Sequence, residues 1–300
     1  MTESISLELA RRDSMWNRLV SENDPNNVEP RILNQSRFFL GQAGIYRDAT
    51  TTQSYTEDKA GIAVSILHTG RHYPDEVSEN EIIYHYPVTD RHSSLDRNEI
   101  QSAKNAAIFN LPIFVISEVG KKMRKVQLGK VVSWDDISRT FLIELNPRNF
   151  STQPNEIDHL DDTTFEPTVP NAPSRTITVS SRTGQPKFKF NVVKRYGPCC
   201  AVCAMQALSL LQAAHIIPKK SNGSDDPRNG LVLCGNHHLA YDSGLFSFDP
   251  DTLKIHVSSK TTTQSIQITR QDLSHLQKLP HDKALKWHWK QWQAAQKELE

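Results

Sequence analysis

No stretch of this 300-residue chain approaches the roughly 18 consecutive apolar residues that a bilayer-spanning helix requires, so no membrane segment is expected. The opening run MTESISLELARRD has no basic region leading into an apolar core, so a secretory signal is not expected and the cytoplasm is the expected compartment. Net charge is nearly absent as well. The chain sets 35 Lys+Arg against 34 Asp+Glu, a formal +1, which excludes a histone-like protein and a highly charged disordered chain. Cysteine is scarce, with four residues in the whole chain. In a reducing compartment such thiols read as metal ligands or free thiols, not as disulfides. What is present is ordinary: 37% hydrophobic and 23% charged residues describe a soluble globular chain, long enough for two domains.

The neutral total hides a division. From Thr176 to the end there are 16 Lys+Arg and 9 Asp+Glu, a balance of +7, while residues 1–175 carry 19 and 25, a balance of −6. The change of sign falls in a stretch rich in Pro, Asn, Thr and Ser with almost no apolar period, residues 146–186. Such a composition buries too little surface to offset chain entropy. The expected organisation is therefore a domain over 1–150, a linker over 151–186 and a second domain over 187–300. The acidic cluster in the linker (Glu156, Asp158, Asp161, Asp162, Glu166) reads as a solvated loop.

In the first domain a helix is expected over 4–20, with Ile5, Leu7, Leu9, Trp16, Leu19 and Val20 as its apolar members. Short β-branched runs follow between turn residues: GIAVSILHT (61–69), EIIYHYP (81–87), LPIFVISEV (111–119), KVQLGKVVSW (125–134) and TFLIEL (140–145). One helix interrupts them at 96–110, with Asp96 as N-cap, Glu99 completing a capping box, and Ile100, Ala103, Ala107 and Ile108 on one face. Five or six strands with an embedded helix make a strongly bent sheet or open barrel. The run AGIYRDAT…GIAVSILHTG…EIIYHYP, a helix, then LPIFVIS and a closing strand pair resembles the PUA-like barrels, the group that includes the SRA and EVE-type readers of modified DNA bases. That resemblance implies a cavity that takes a flipped base and reads it by stacking and edge hydrogen bonds. Tyr46, His68, Tyr84, Tyr86, Asp90 and Trp134 are the candidate side chains. An aromatic in an alternating strand ordinarily packs in the core, which is the competing reading for each of the tyrosines and the tryptophan.

The informative stretch is 196–257. Cys200 and Cys203 form a C-x2-C pair, and Cys234 and His237 form a C-x2-H pair thirty-one residues after Cys203. A two-residue spacing in a tight turn aims both ligands at one ion, so the two half-sites can close a tetrahedral Cys3His zinc site of structural kind. The alternative is a set of unrelated thiols. Cys199 is the spare thiol, since using it would break the spacing.

The same stretch holds His215 on an apolar run (LLQAAHIIP), Asn229 after a loop containing Gly223 and Pro227, and His238 with Asp242 four residues on. At that spacing His238 and Asp242 share a helix face and suit two ligands of one ion. Ala214-His215-Ile216, Asn229-Gly230-Leu231, Leu233-Cys234, His238 and Asp242-Ser243-Gly244-Leu245 together resemble the HNH (ββα-metal) nucleases over about 60 of the 300 residues. The resemblance implies roles. His215 would be the general base, Asn229 would hold the loop and orient the His215 imidazole through its amide, and His238 with Asp242 would bind one divalent ion at the scissile phosphate. One departure matters: many HNH enzymes place a metal ligand immediately before the base, and Ala214 stands there. Either water fills the coordination shell or Asn236 or Gln212 contributes, and water-rich oxygen coordination points to Mg2+ or Mn2+.

Lys187, Lys189, Lys194, Arg195, Lys219, Lys220 and Arg228 flank these motifs and can neutralise DNA phosphates. The last stretch, DKALKWHWKQWQAAQKELE, is expected to be a helix with an apolar stripe of Leu285, Trp289, Trp292 and Ala295 or Gln296, packed on the nuclease core or on a partner subunit. The fold class expected is α+β, with a PUA-like open barrel followed by a zinc-stapled HNH domain. The function expected is a modification-dependent DNA endonuclease, recognising a modified base (modified cytosine) in double-stranded DNA and acting as a homodimer, since cutting both strands needs two sites. Two rivals stand beside it. One is a zinc-stabilised DNA-binding protein with a decayed nuclease site. The other is an HNH nuclease whose first domain reads unmodified sequence or a protein partner.

Overall fold

The computed structural model describes residues 2–40, 44–70, 75–89, 92–120, 122–147, 160–169 and 185–298. The chain is α+β and forms two compact units, Met1–Glu156 with Ser181–Pro186, and Ile157–Ser180 with Lys187–Glu300. No helix among the described residues is long and apolar enough to cross a membrane.

The first unit runs α1 (Thr2–Glu22), α2 (Pro30–Gln35), β1 (Ile45–Arg47), α3 (Ala49–Thr52), β2 (Ala63–His68), β3 (Glu76–Val77), β4 (Glu81–His85), α4 (Ser93–Ile108), β5 (Ile113–Val119), β6 (Met123–Asp135) and β7 (Thr140–Leu145). Its seven strands lie in the order β1-β2-β5-β6-β7-β4-β3. Neighbours are antiparallel except β2 and β5, which are parallel and joined by a crossover containing α4. Among the described residues the order ends at β1 and β3, so the sheet is open. Both faces are covered. Ile113 and Val115 of β5 join the cluster under α4 with Tyr84, Val131, Phe141 and Ile143, while Phe114 and Ile116 join Leu19, Leu33 and Phe38 from the α1–α2 side. That alternation explains why LPIFVISEV reads as a continuous apolar run.

Two helices differ in detail from their sequence pattern. On α1 the stripe that packs inward runs Ile5, Glu8, Arg12, Met15/Trp16 and Leu19, whereas Leu7, Leu9 and Val20 are exposed. Two of its buried members are charged: Arg12 Nε donates to Glu8 Oε1 at 2.8 Å and Arg12 Nη1 donates to the Pro112 carbonyl. On α4 the cap is His92, whose Nδ1 accepts from Ser94 N–H. Asp96 lies one turn inside, where the preceding loop captures it: Thr89 N–H and Oγ1 both donate to its carboxylate. The inward face is Ala103, Ala106 and Ala107, and Ile108 is exposed.

The second unit contains α5 (Gln185–Tyr196), β8 (Leu211–His215), β9 (Gly230–Cys234), α6 (Gly235–Asp242), β10 (Phe246–Phe248), β11 (Ile255–Val257) and α7 (Asp282–Lys297). One apolar cluster holds it together, built on Phe188, Val192, Leu211, Ile216, Leu231, Leu233, Tyr241 and Phe246. Helix α7 packs on this core within the same unit. Ala284 and Leu285 are buried, Trp292 Nε1 donates to the Gly244 carbonyl at 2.9 Å, and Ser258 Oγ donates to Gln296 Oε1 at 2.6 Å.

Candidate active site and metal centre

Strands β8 and β9 form an antiparallel hairpin with Leu211 opposite Cys234 and His215 opposite Gly230, and α6 follows β9 without a loop. This ββα frame carries His215, Cys234, His237, His238 and Asp242, while Cys200 and Cys203 come from the turn that precedes β8. Cys200, Cys203, Cys234 and His237 have their ligand atoms all within 4.8 Å of one another. Three sulfurs and one imidazole nitrogen at that separation are the donor set of a closed tetrahedral zinc site. His237 Nδ1 lies 3.0 Å from Cys234 Sγ and 3.6 Å from Cys200 Sγ, while its Nε2 donates to the Ile266 carbonyl at 2.9 Å. That second bond fixes the ring so that Nδ1 faces the sulfurs and would be the donor to an ion there. Burial, with Cys200 and Cys234 beside it, pushes the Cys203 thiol up to about 12, a shift that a cation bound at its sulfur would reverse. Cys199 stands outside the cluster, where Arg270 Nη2 approaches its sulfur at 3.4 Å.

His237 and His238 are consecutive on α6, about 100° apart around the helix, so they serve different places. His237 is buried against the thiols, and His238 is half-buried with Nδ1 2.6 Å from Gln212 Oε1 and Nε2 3.5 Å from Asp242 Oδ2. Burial lowers the affinity of His238 for a proton, and His215 nearby adds to this while Asp242 opposes it. A neutral imidazole beside a carboxylate is a fit donor pair for a divalent cation. Gln212 is engaged with the His238 ring, so its amide oxygen orients that imidazole. Asn236 is exposed. Ala214 is enclosed in the apolar cluster and has no donor atom to offer.

His215, at the end of β8, has Nε2 2.9 Å from Asp225 Oδ1, and the Phe188 ring lies flat against it with centroids 3.7 Å apart and planes 10° apart. Asn229 does not reach that imidazole. Its buried side chain closes the loop instead: Oδ1 accepts from Ile217 N–H at 2.9 Å, and Nδ2 donates to the Ile217 and Ser224 carbonyls. Its backbone carbonyl also accepts from Ile216 N–H. Two glycines are dictated by this packing. A Cβ at Gly223 would run into the Ile217 carbonyl, and one at Gly230 would sit 2.9 Å from the edge of the Phe188 ring.

Residues 200–249 match the family model described as HNH endonuclease. The second unit therefore carries an HNH domain. The chain is a metal-dependent DNA endonuclease, with His215, Asn229 and His238 all inside the matched segment. Among solved structures the chain is similar to the modification-dependent TagI restriction endonuclease, at 19% identity over 89% of this chain and 91% of that one, TM-score 0.34. It is also similar to the SUVH5 SRA domain in complex with fully methylated CG DNA, at 18% identity over 43% of this chain and 92% of that one, TM-score 0.26. A third likeness is the type IV phosphorothioation-dependent restriction endonuclease ScoMcrA, at 13% identity over 67% of this chain and 56% of that one, TM-score 0.26. No curated protein matches the chain.

Around the HNH domain, several of the seven expected phosphate contacts are engaged within the protein, Arg228 and Arg195 most extensively. Arg228 is buried, bonds Asp226, and donates to the Leu160 and Thr163 carbonyls. Arg195 donates to Asp161 at 2.7 Å. Both hold residues 160–169, part of the stretch expected to be a linker, against the domain. Phe165 stacks on His281 and Thr168 bridges to Gly223 in the same segment. Burying Phe165 gives this polar run the anchor that its composition concealed. Lys219 pairs with Asp225 at 2.6 Å, Lys187 and Lys220 are exposed, and Lys189 and Lys194 are half-buried on α5.

The base-reader candidates of the first unit do not converge. Tyr84 is a core residue whose hydroxyl faces the Leu67 carbonyl at 3.4 Å, and Tyr46 packs edge-on to Phe39. His68 and His85 both bond Asp75. Asp90 lies outside the described residues. Tyr86 lines a cavity of about 450 Å³ together with Arg97, Gln101, Lys104, Asp136 and Arg139. The Lys104 ammonium is 5.8 Å from the ring centres of both Tyr86 and Trp134 and bonds Asp136, which also accepts from the Tyr86 hydroxyl at 3.0 Å.

Proposed function

We propose that the chain is a modification-dependent DNA endonuclease of the restriction type, whose first unit reads a modified base, modified cytosine in particular, after flipping it from the duplex. The observation that carries the catalytic half is the arrangement of the ββα frame. His215 ends one strand, the Asn229 side chain closes the loop behind it, and His238 and Asp242 project from the following helix. In the reaction, His215 takes a proton from a water as its oxygen bonds to phosphorus and the bond to the 3′ oxygen breaks. A divalent ion, Mg2+ or Mn2+, held by His238 and Asp242 would supply charge stabilisation at the scissile phosphate and the leaving oxygen. Zinc at Cys200, Cys203, Cys234 and His237 has a folding role.

Support for the reader is the cavity at Tyr86, where an aromatic ring, amide groups and cations meet in a volume in the range of small-molecule sites. Tyr86 remains the pocket residue proposed, with Trp134 beside it sharing the Lys104 ammonium. Exposed Lys187 and Lys220, with Lys189 and Lys194, are the proposed phosphate contacts, and a homodimer would bring two nuclease sites to the two strands. The test is digestion of matched duplexes carrying cytosine, methylcytosine, hydroxymethylcytosine or methyladenine, with Mg2+ and Mn2+ in parallel. Cutting confined to modified duplexes is expected. Equal cutting of all four would end the reader assignment and leave an HNH nuclease of other specificity.

A further inference from the structure

A histidine that accepts a proton must present a lone pair on a chosen ring nitrogen, and that choice is made by whatever binds the other nitrogen. At His215 the other nitrogen is Nε2, 2.9 Å from Asp225 Oδ1. The second oxygen of the same carboxylate is 2.6 Å from Lys219 Nζ. The ring plane is set independently by Phe188, stacked at 3.7 Å, and the backbone by the pairing of His215 with Gly230. Burial alone would raise the Asp225 carboxyl, but the bonds from His215 and Lys219 outweigh it and hold it below its ordinary range. An ionised carboxylate can only accept, so Nε2 carries the hydrogen and the lone pair falls on Nδ1. At His238 the order is reversed: Gln212 Oε1 accepts from Nδ1 at 2.6 Å and leaves Nε2 for a cation beside Asp242.

We propose that Asp225 is a positioning residue of the nuclease site: it holds His215 in the Nε2–H tautomer, presents Nδ1 to the attacking water, and stabilises the imidazolium formed when that water loses its proton. Lys219 orients the carboxylate from the solvent side. This inference rests on the reading of His215 as the general base. Its own content, a tautomer fixed by a carboxylate, can be measured separately from cutting.

The experiment uses the full chain loaded with zinc, labelled with 15N at histidine, as wild type, Asp225→Ala and Asp225→Asn. The Asp225 side chain is 48% exposed, so neither variant should disturb the core. In wild type, the ring-nitrogen signals of His215, assigned by their loss in His215→Ala, should show Nε2 protonated and Nδ1 bare. Asp225→Ala should yield a mixture of tautomers and a kcat at least tenfold lower at unchanged KM. Asp225→Asn keeps an accepting oxygen and loses the charge, so it should keep the tautomer and cut at an intermediate rate. Wild-type tautomer and rate in Asp225→Ala would overturn the proposal. Rescue of that variant by excess Mn2+ would overturn it too, by making Asp225 a metal ligand. Full cutting by His215→Ala alongside the expected ring signals would instead remove the general-base reading on which the inference stands.

Discussion

Mild acid should destabilise the second unit in part through a half-buried ring, His288. Its imidazole lies flat on Tyr241, with centroids 4.2 Å apart, and its Nδ1 is 2.9 Å from Ser247 Oγ. Burial pushes its pKa down from the usual 6.5 to about 4. The unfolded chain therefore holds the proton more tightly than the folded one. The stability that depends on neutral His288 is complete above pH 6.5 and is lost as the pH falls toward 4. The slope is about 1.4 kcal/mol per pH unit, which amounts to about 2 kcal/mol by pH 5 and roughly 3 kcal/mol in all. Urea unfolding followed by tryptophan fluorescence reads this well, because Trp287, Trp289 and Trp292 lie on the same helix. His288→Gln should be less stable than wild type at pH 7, having lost the stack, yet should lose about 2 kcal/mol less than wild type between pH 7 and pH 5. Protonation of the zinc ligands and of the other histidines cancels in that difference. Equal pH dependence in the two proteins would refute the reasoning.

Three further outcomes follow from the site geometry. Removing zinc with a chelator, or one ligand by Cys234→Ser, should unfold the second unit, because metal-binding energy is folding energy in such modules; thermal unfolding with zinc content measured in parallel checks it, and an unchanged transition in the metal-free protein counts against a structural ion. Gln212→Ala should weaken activation by Mn2+ on the order of 10-fold to 100-fold, as expected when a ligand histidine loses its orienting partner; a metal titration of the cutting rate reads this, and an unshifted midpoint counts against the role. Gly230→Ala should crowd Val192 and the edge of the Phe188 ring that stacks on His215, costing about 1–3 kcal/mol of stability by overpacking and lowering the cutting rate. Phe188→Ala made alongside it separates the two effects, since it should lower the rate without overpacking, and normal cutting by both variants would show the stack to be dispensable.

Short-range spacing carried most of what was legible in the sequence. Cys200, Cys203, Cys234 and His237 come together because two x2 turns each aim a pair of ligands, and that geometry is local. Strand β7 coincides with TFLIEL at Thr140–Leu145, since its apolar run is bounded by turn residues on both sides. What was concealed depends on distant partners. Asn229 turns to the Ile217 backbone and not to the His215 ring, because a buried amide takes the nearest unpaired peptide groups. Arg195 and Arg228 looked like phosphate ligands, yet they bind a segment more than thirty residues away in sequence. Phe188 left no local signal of its stack on His215. Asp225 and Gln212 did leave one: an acidic residue four positions before Asn229 in a basic surrounding, and a polar residue opposite Leu233 in the hairpin register, close to the start of α6.

The central claim is that His215 performs the proton transfer in DNA cutting on the ββα frame. It is tested most directly by measuring binding and divalent-ion-dependent cleavage of one labelled modified duplex by wild type and His215→Ala under the same conditions. The variant should bind the duplex as wild type does and cut it slower on the order of 10²-fold or more, the scale expected when a general base is removed. Cleavage by His215→Ala at the wild-type rate would contradict the claim.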